Sequence, residues 1–175
     1  FCAKYSLAAN SEEIKLIRNL DEDEFRNYMK YDQLVTGKDR TAILRKYFSF
    51  QNTEGSVLID KSGNVIAQAD IGETGYPGGG EYKISTLFCD YIHQAAKLLA
   101  PLMEFAKGHH CNPKIIIYVH ERTRGEELME KLKDMFPEII SYGPFPTLFS
   151  REYKLQIDSK KSWMEEPTSN ILCDA

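Results

Sequence analysis

Apolar positions along the chain follow two different periods, and the places where one gives way to the other divide it into elements. "GSVLIDKSGNVIAQADI", residues 55–71, is two apolar runs joined by Lys61, Ser62, Gly63 and Asn64. Gly and Asn tolerate the left-handed backbone of a tight turn, so this stretch predicts a hairpin. "EYKISTLF" (81–88) predicts the next strand. "PKIIIYVHE" (113–121) is an unbroken apolar run, the pattern of a central strand covered on both faces and lying parallel to the one before it.

Helical spacing fills the gaps. "DEDEFRNYMKYDQLV" (21–35) opens with acids suited to a helix N-terminus and is broken by Gly37. "DRTAILRKYF" (39–48) resumes with Ile43, Leu44 and Tyr47 on one face, and Asp39 and Arg40 read as structural charges tying this helix to the sheet. "DYIHQAAKLLAPLMEFAKG" (90–108) predicts a long helix capped by Asp90, kinked at Pro101 and ended by Gly108. "GEELMEKLKDMF" (125–136) is amphipathic. At the start, "FCAKYSLA" alternates like a strand, and a short helix capped by Asn10 or Ser11, with Glu12 and Glu13 in its first turn, is expected next. At the end, "IISYGPFPTLF" and "EYKLQIDS" read as strands, and residues 160–175 as an irregular tail. Nothing repeats and no linker divides the chain, so residues 1–159 are expected to form one α/β domain with a mixed sheet and helices on both faces.

Composition narrows the functional classes. The 175 residues are 42% hydrophobic and 27% charged, and the net charge of -4 supplies no attraction to nucleic acid. No apolar stretch approaches the ~20 residues of a membrane-spanning helix. Cys2, Cys89, Cys111 and Cys173 stand apart with no C-x-x-C pair, the pattern of free thiols in a cytoplasmic protein. The chain begins at Phe1 rather than Met, which leaves a removed targeting segment open. His120-Glu121 is followed by Arg124 where H-E-x-x-H needs His, and no G-x-S-x-G, P-loop or G-x-G-x-x-G is present. His109, His110 and Cys111 are adjacent rather than spaced as metal ligands, so no metal is expected. A cytidine-deaminase-like arrangement would place a zinc ligand two residues before Glu81; Gly79 stands there, and no P-C-x-x-C follows, which excludes an active deaminase.

The order strand, helices, three antiparallel strands, long helix, strand, helix, two strands resembles the GNAT acyltransferase family. "YDQLVTGKDRTAIL" (31–44) is similar to the Y/F-D-x-x-V-x-G-x-D-R segment of the branch that includes YitH-like and holothin-acyltransferase-like domains. "YKISTLFCDYIHQAAKLL" (82–99) is similar to that branch's "IGPLYADxxxIAxxLL", with Leu87, Phe88, Cys89 and Asp90 standing at L-Y-A-D. The resemblance implies an acetyl-CoA or other acyl-CoA co-substrate in a cleft between the fourth and fifth strands. Its pyrophosphate would meet the backbone of Asp90, Tyr91, Ile92 and His93, and a small amine would be the acceptor. It leaves room for a homodimer.

Candidate bases for the amine proton are Asp70, Glu73 and Glu81. The family's usual Tyr on the following helix is missing from "RTRGEELMEKLKDMF", so Tyr118 or Tyr142 is left as partner for the departing thiolate. The family's phosphate-binding glycines follow the fourth strand. Here Gly78, Gly79 and Gly80 precede it, which reads as a hairpin loop and not a phosphate cradle. Cys89 reads as a small residue packed at the strand–helix junction. The absence of the glycine motif also admits a second class of function, a GNAT-shaped module that binds without catalysis.

Overall fold

The computed structural model describes residues 12–75, 77–119 and 125–135. The expected strands at residues 1–8, 139–149 and 152–159, the 160–175 tail, the Asn10/Ser11 cap, His120-Glu121 and Tyr142 lie outside the described residues. Among the described residues five strands form one sheet in the order β1 (Glu13–Leu16), β2 (Thr53–Ile59), β3 (Val65–Glu73), β4 (Glu81–Phe88) and β5 (Lys114–Ile117). Neighbours are antiparallel up to β4, and β5 is parallel to β4. Helices α1 (Glu22–Thr36) and α2 (Thr41–Tyr47) cover one face. Helices α3 (Ile92–His109) and α4 (Gly125–Met135) cover the other.

Alternation in the strands decides which residues meet which layer. Leu58, Ala67, Ala69 and Ile71 pack with Leu98, Leu102 and Ala106 of α3 and with Leu128 of α4. The small Ala67 and Ala69 side chains bring α3 close, and the Ser56 hydroxyl reaches the Leu98 carbonyl at 2.8 Å. On the opposite face Val57, Ile59, Val65 and Phe88 meet Phe25, Tyr28, Val35 and Leu44. α1 starts in a capping box: Asp21 accepts from the N–H of Asp23 and Glu24, and the Glu24 side chain accepts from the Asp21 N–H. It ends at Gly37, whose φ of 70° puts it in the left-handed region.

Three expectations change. Residues 13–16 are a strand and not the first turn of a helix: Ile14 and Leu16 sit in register with Leu58 and Ser56, and pairing with β2 overrides the local capping signal. The cap of α3 is Tyr91 rather than Asp90, and the helix runs through Gly108 to His109. In α2, Leu44 is buried and Tyr47 half-buried, but Ile43 is 70% exposed, because a two-turn helix resting on Leu44 carries its neighbour about 100° round toward solvent. β5 is parallel to β4 as expected and ends the described part of the sheet, with Ile115, Ile116 and Ile117 half-buried.

One polar link between the α1–α2 layer and the sheet is the buried carboxylate of Asp32. Arg40 grips Asp32 with two hydrogen bonds, of 2.5 and 3.0 Å, and Gln68 of β3 donates to the same carboxylate at 2.8 Å. Arg40 therefore reaches the sheet through Asp32, while Asp39 accepts from the Thr41 N–H and hydroxyl at the start of α2. Removing one partner of a buried pair strands the other charge, so Arg40→Ala should cost about 3–5 kcal/mol in urea unfolding. Arg26→Ala, which breaks the exposed Arg26–Asp23 pair, should cost less than about 1 kcal/mol.

Candidate functional site

β4 is paired differently along its two edges. On the β3 side Ile71 faces Ile84 and Asp70 faces Thr86, so Ser85 is an extra, bulged residue. On the β5 side the pairing runs from Glu81–Lys114 to Ile84–Ile117 and stops there, while β4 continues to Phe88. Bulge and parting coincide. Beside them, on the α1–α2 face, lies a cleft of about 360 Å³ lined by Tyr47, Thr53, Gly72, Glu73, Thr74, Glu81, Lys83, Ser85, Ile116 and Tyr118.

The structure brings three of the four candidate catalytic residues to the walls of this cleft and sets the fourth beneath its floor. Glu73 accepts from the Gly80 N–H at 3.1 Å and lies 3.3 Å from His110 Nε2; the Gly80 hydrogen bond, reinforced by His110, holds its carboxyl below the usual range. Glu81 accepts from the Thr74 hydroxyl at 3.4 Å. Tyr118 is 45% exposed, with the Lys83 ammonium 4.6 Å from its ring centroid, so it is a wall of the cleft and not core filling.

Asp70 is buried. Its carboxylate accepts from the Thr86 hydroxyl and, at 3.3 Å, from the Tyr47 hydroxyl. Burial pushes its pKa up to about 6 against the opposing hydrogen bonds from Thr86 and Tyr47 and the attraction of Arg40. Tyr47 is pushed well up too, by burial and by the Asp70 charge. Sequence reasoning missed Tyr47, Ser85 and Thr86. No local signal could have found them, since their meeting depends on the bulge.

The expected phosphate contacts lie where β4 runs into α3. The side chains of Leu87 and Cys89 are buried in the α3-side core and that of Phe88 in the α1-side core, so all three are packing residues. At the helix end Gln94 acts as an internal cap: its amide oxygen accepts from the N–H groups of Asp90 and Tyr91 at 3.0 and 3.1 Å. Two of the four donors expected for a pyrophosphate are thus engaged, and those of Ile92 and His93 belong to a first turn that has no intrahelical acceptor. Glu12 holds Gln94 in place through the Gln94 amide nitrogen (3.4 Å) and pairs with Lys97 at 2.9 Å. Burial pushes the Glu12 carboxyl up, but the hydrogen bonds from Lys97 and Gln94 more than reverse it. A Gln three residues past the N-cap is a capping-box signal, so this contact was open to discovery in the sequence. Tyr91 is 58% exposed and stacks on His93 with centroids 5.5 Å apart.

Gly78, Gly79 and Gly80 form the β3–β4 hairpin loop at the far end of β4 from α3. All three have positive φ, and a Cβ on Gly79 or Gly80 would press on the His110 ring at 3.0–3.1 Å. His109 contacts the Phe105 carbonyl while His110 faces Glu73, so the two rings do not converge. Among the described residues no group of His, Cys, Asp or Glu could hold a metal ion, and no helix is long and apolar enough to cross a membrane.

No family model matches the chain. A curated protein of Caenorhabditis elegans, the uncharacterized protein F36G3.2, is 25% identical over 158 residues, covering 90% of this chain and 50% of its own length. The chain thus spans half of that relative. Among solved structures, aminoglycoside 6'-N-acetyltransferase AAC(6')-Ih of Acinetobacter baumannii superposes with a TM-score of 0.56 at 8% identity, over 82% of this chain and 99% of that one. Aminoglycoside N-acetyltransferase AAC(6')-Iy in complex with CoA gives 0.57 at 10% identity, over 83% and 97%. A Trypanosoma brucei acetyltransferase gives 0.53 at 16% identity, over 79% and 99%. The fold is the GNAT acyl-CoA N-acyltransferase fold, a mixed five-stranded sheet between helices.

The position of Asp70 has a consequence for stability. Its folded pKa of about 6 lies above its ordinary value of 3.8, so between those values the folded state holds more proton than the unfolded one. Stability contributed at this site is therefore present at low pH and lost as pH rises toward 6. Asp70→Asn should remove that loss, stabilising the protein at pH 7 by up to about 3 kcal/mol relative to pH 4, on the scale of 1.36 kcal/mol per pKa unit. The check is the difference between parent and variant in urea unfolding from pH 4 to 8, which cancels the other carboxylates.

Proposed function

We propose that the protein is an acyl-CoA-dependent N-acyltransferase, transferring an acyl group from the CoA thioester to a small amine by direct attack in a ternary complex. The observation that carries this reading is the parting of β4 from β5 at Ile84–Ile117, directly before the strand leads into α3. A strand edge without a neighbour among the described strands offers backbone donors and acceptors to an extended, amide-bearing ligand, and CoA carries such an arm. The arm's pyrophosphate would fall at the N–H groups of Ile92 and His93, where the helix end favours an anion. The acidic and aromatic cleft on the other side of the bulge suits an amine, with a base drawn from Asp70, Glu73 and Glu81 and with Tyr118 near the departing sulfur. Fold neighbours that are N-acetyltransferases support the same reading. The D-R segment and the L-F-C-D strand end support kinship with the YitH-like branch, and the spacing of the four cysteines in the sequence, with no C-x-x-C pair, supports a cytoplasmic site.

One observation favours the second reading, a GNAT-shaped module that binds without catalysis. Gln94 already takes two donors of the α3 N-terminus, those of Asp90 and Tyr91, and Asp90 adds a negative charge where phosphates would lie.

Calorimetric titration with acetyl-CoA and free CoA separates the two. At a hundredfold excess over its dissociation constant, a ligand of the folded state should add about 2.7 kcal/mol of stability. Asp90→Asn should tighten CoA binding by about 1 kcal/mol at low salt, fading at high salt. Absence of CoA binding by both proteins at both salt concentrations would leave the non-catalytic module.

A further inference from the structure

The Tyr47 hydroxyl occupies a position that the fold has been shaped to provide. It donates to Asp70 Oδ1 at 3.3 Å and shares the cleft wall with Ser85, the bulged residue of β4. It lies over Gly72, where a Cβ would stand 2.6 Å from the hydroxyl oxygen, so only glycine leaves room for it. Tyr47 lines the cleft, whereas Asp70 does not. Asp70 is sealed behind Tyr47, faced by Tyr28 and Asp32 of α1, Arg40 before α2, Tyr47 of α2 and Thr86 of β4. Arg40 is committed to Asp32 by two hydrogen bonds, which leaves Asp70 a buried carboxylate with hydroxyl partners.

Resting on the acyltransferase reading, we infer that Tyr47 is the group that takes the proton from the acceptor amine, relaying it to Asp70. In the step, the amine nitrogen bonds to the thioester carbonyl carbon and the C–S bond breaks, its electron pair leaving with the sulfur. One proton of the attacking nitrogen passes to Tyr47 Oη as the Tyr47 proton passes to Asp70 Oδ1. Tyr47 is neutral before and after, Asp70 carries the proton, and solvent later receives it. Tyr47 is the catalytic residue of the pair, because its oxygen touches the amine, and Asp70 acts through it.

Position separates this pair from the other acids. Glu73 and Glu81 lie toward the glycine loop, held by the Gly80 N–H and the Thr74 hydroxyl, whereas Tyr47 meets Ser85 at the bulge, where β4 loses β5 and a thioester on the strand edge would end. Burial of Asp70 also suits it to accept a proton near neutral pH.

The test is release of free thiol from acetyl-CoA in the presence of putrescine, tyramine, glucosamine or alaninamide, from pH 5 to 9, on the parent, Tyr47→Phe, Asp70→Asn and the double variant. Acetyl-CoA affinity is measured on each by calorimetry and folding by thermal melt. Each single variant should lower kcat about a hundredfold, with acetyl-CoA affinity and amine KM changed less than about twofold. The double variant should be no slower than the singles, since the two act as a unit. The parent's kcat should fall on the acid side with a midpoint near pH 6, and Asp70→Asn should lose that limb. Parent-like kcat in either variant, an acid limb that survives Asp70→Asn, or bound acetyl-CoA with no thiol release by the parent on any of these amines would overturn the relay. Failure of the parent to bind acetyl-CoA would instead remove the acyltransferase reading on which the relay stands.

Discussion

At Ser85, β4 carries one residue more than β3 opposite it, and the two sides of that point are built differently. Before it, β4 has a strand on each edge; after it, the β5 edge has no partner among the described strands. The extra residue turns Ser85 toward Tyr47 and Thr86 toward Asp70, side chains that strict alternation would send to opposite faces. It also lets Leu87 and Phe88 enter the cores on either side of the sheet before the chain starts α3. A sheet without this bulge would keep its strands but lose the junction of cleft, hydroxyl cluster and helix N-terminus.

The electrostatics behind the bulge follow from a shortage of cations. Two carboxylates, Asp32 and Asp70, are buried under the α1–α2 layer, and Arg40 alone among the described basic side chains is hydrogen-bonded to either of them. Arg40 binds Asp32 with both arms of its guanidinium, the geometry that best offsets the cost of burying both charges. Asp70 receives only hydroxyl hydrogen bonds and distant attraction, so its proton is held more tightly than a surface aspartate's. The first carboxylate thereby secures the layer to the sheet, and the second is left as a store for a proton. Asp70 opposes stability at neutral pH, a cost often found where a buried charge serves a reaction.

Elements whose cause is local were legible in the sequence. The Gly63–Asn64 hairpin turn, the capping acids and Gly37 stop of α1, and the bounds of β4 depend on residues a few positions apart. β1 was misread because Glu12 and Glu13 look like helix-start acids until β2 is beside them and Lys97 pairs with Glu12. The site divides in the same way. Glu73, Glu81 and Tyr118 could be placed at the cleft from strand order alone. The depth of Asp70, the occupation of two α3 donors by Gln94 and the meeting of Tyr47 with Gly72 are tertiary facts with no local signature, Gln94's cap spacing excepted. The expected phosphate site suffered most from this. Strand order pointed to the helix end after β4, yet three of the seven expected residues prove to be core side chains and two of the donors are already taken.

Acyl transfer by this protein requires that the β5-side edge of β4, which has no partner among the described strands beyond Ile84, and the start of α3 receive the acyl donor. Hydrogen–deuterium exchange of the protein with and without acetyl-CoA reads this directly, peptide by peptide. Slowed exchange should be confined to residues 85–93, with the glycine loop at 78–80 unchanged. Protection centred on the glycine loop, or no change within residues 85–93 at saturating acetyl-CoA, would contradict the placement and the function built on it.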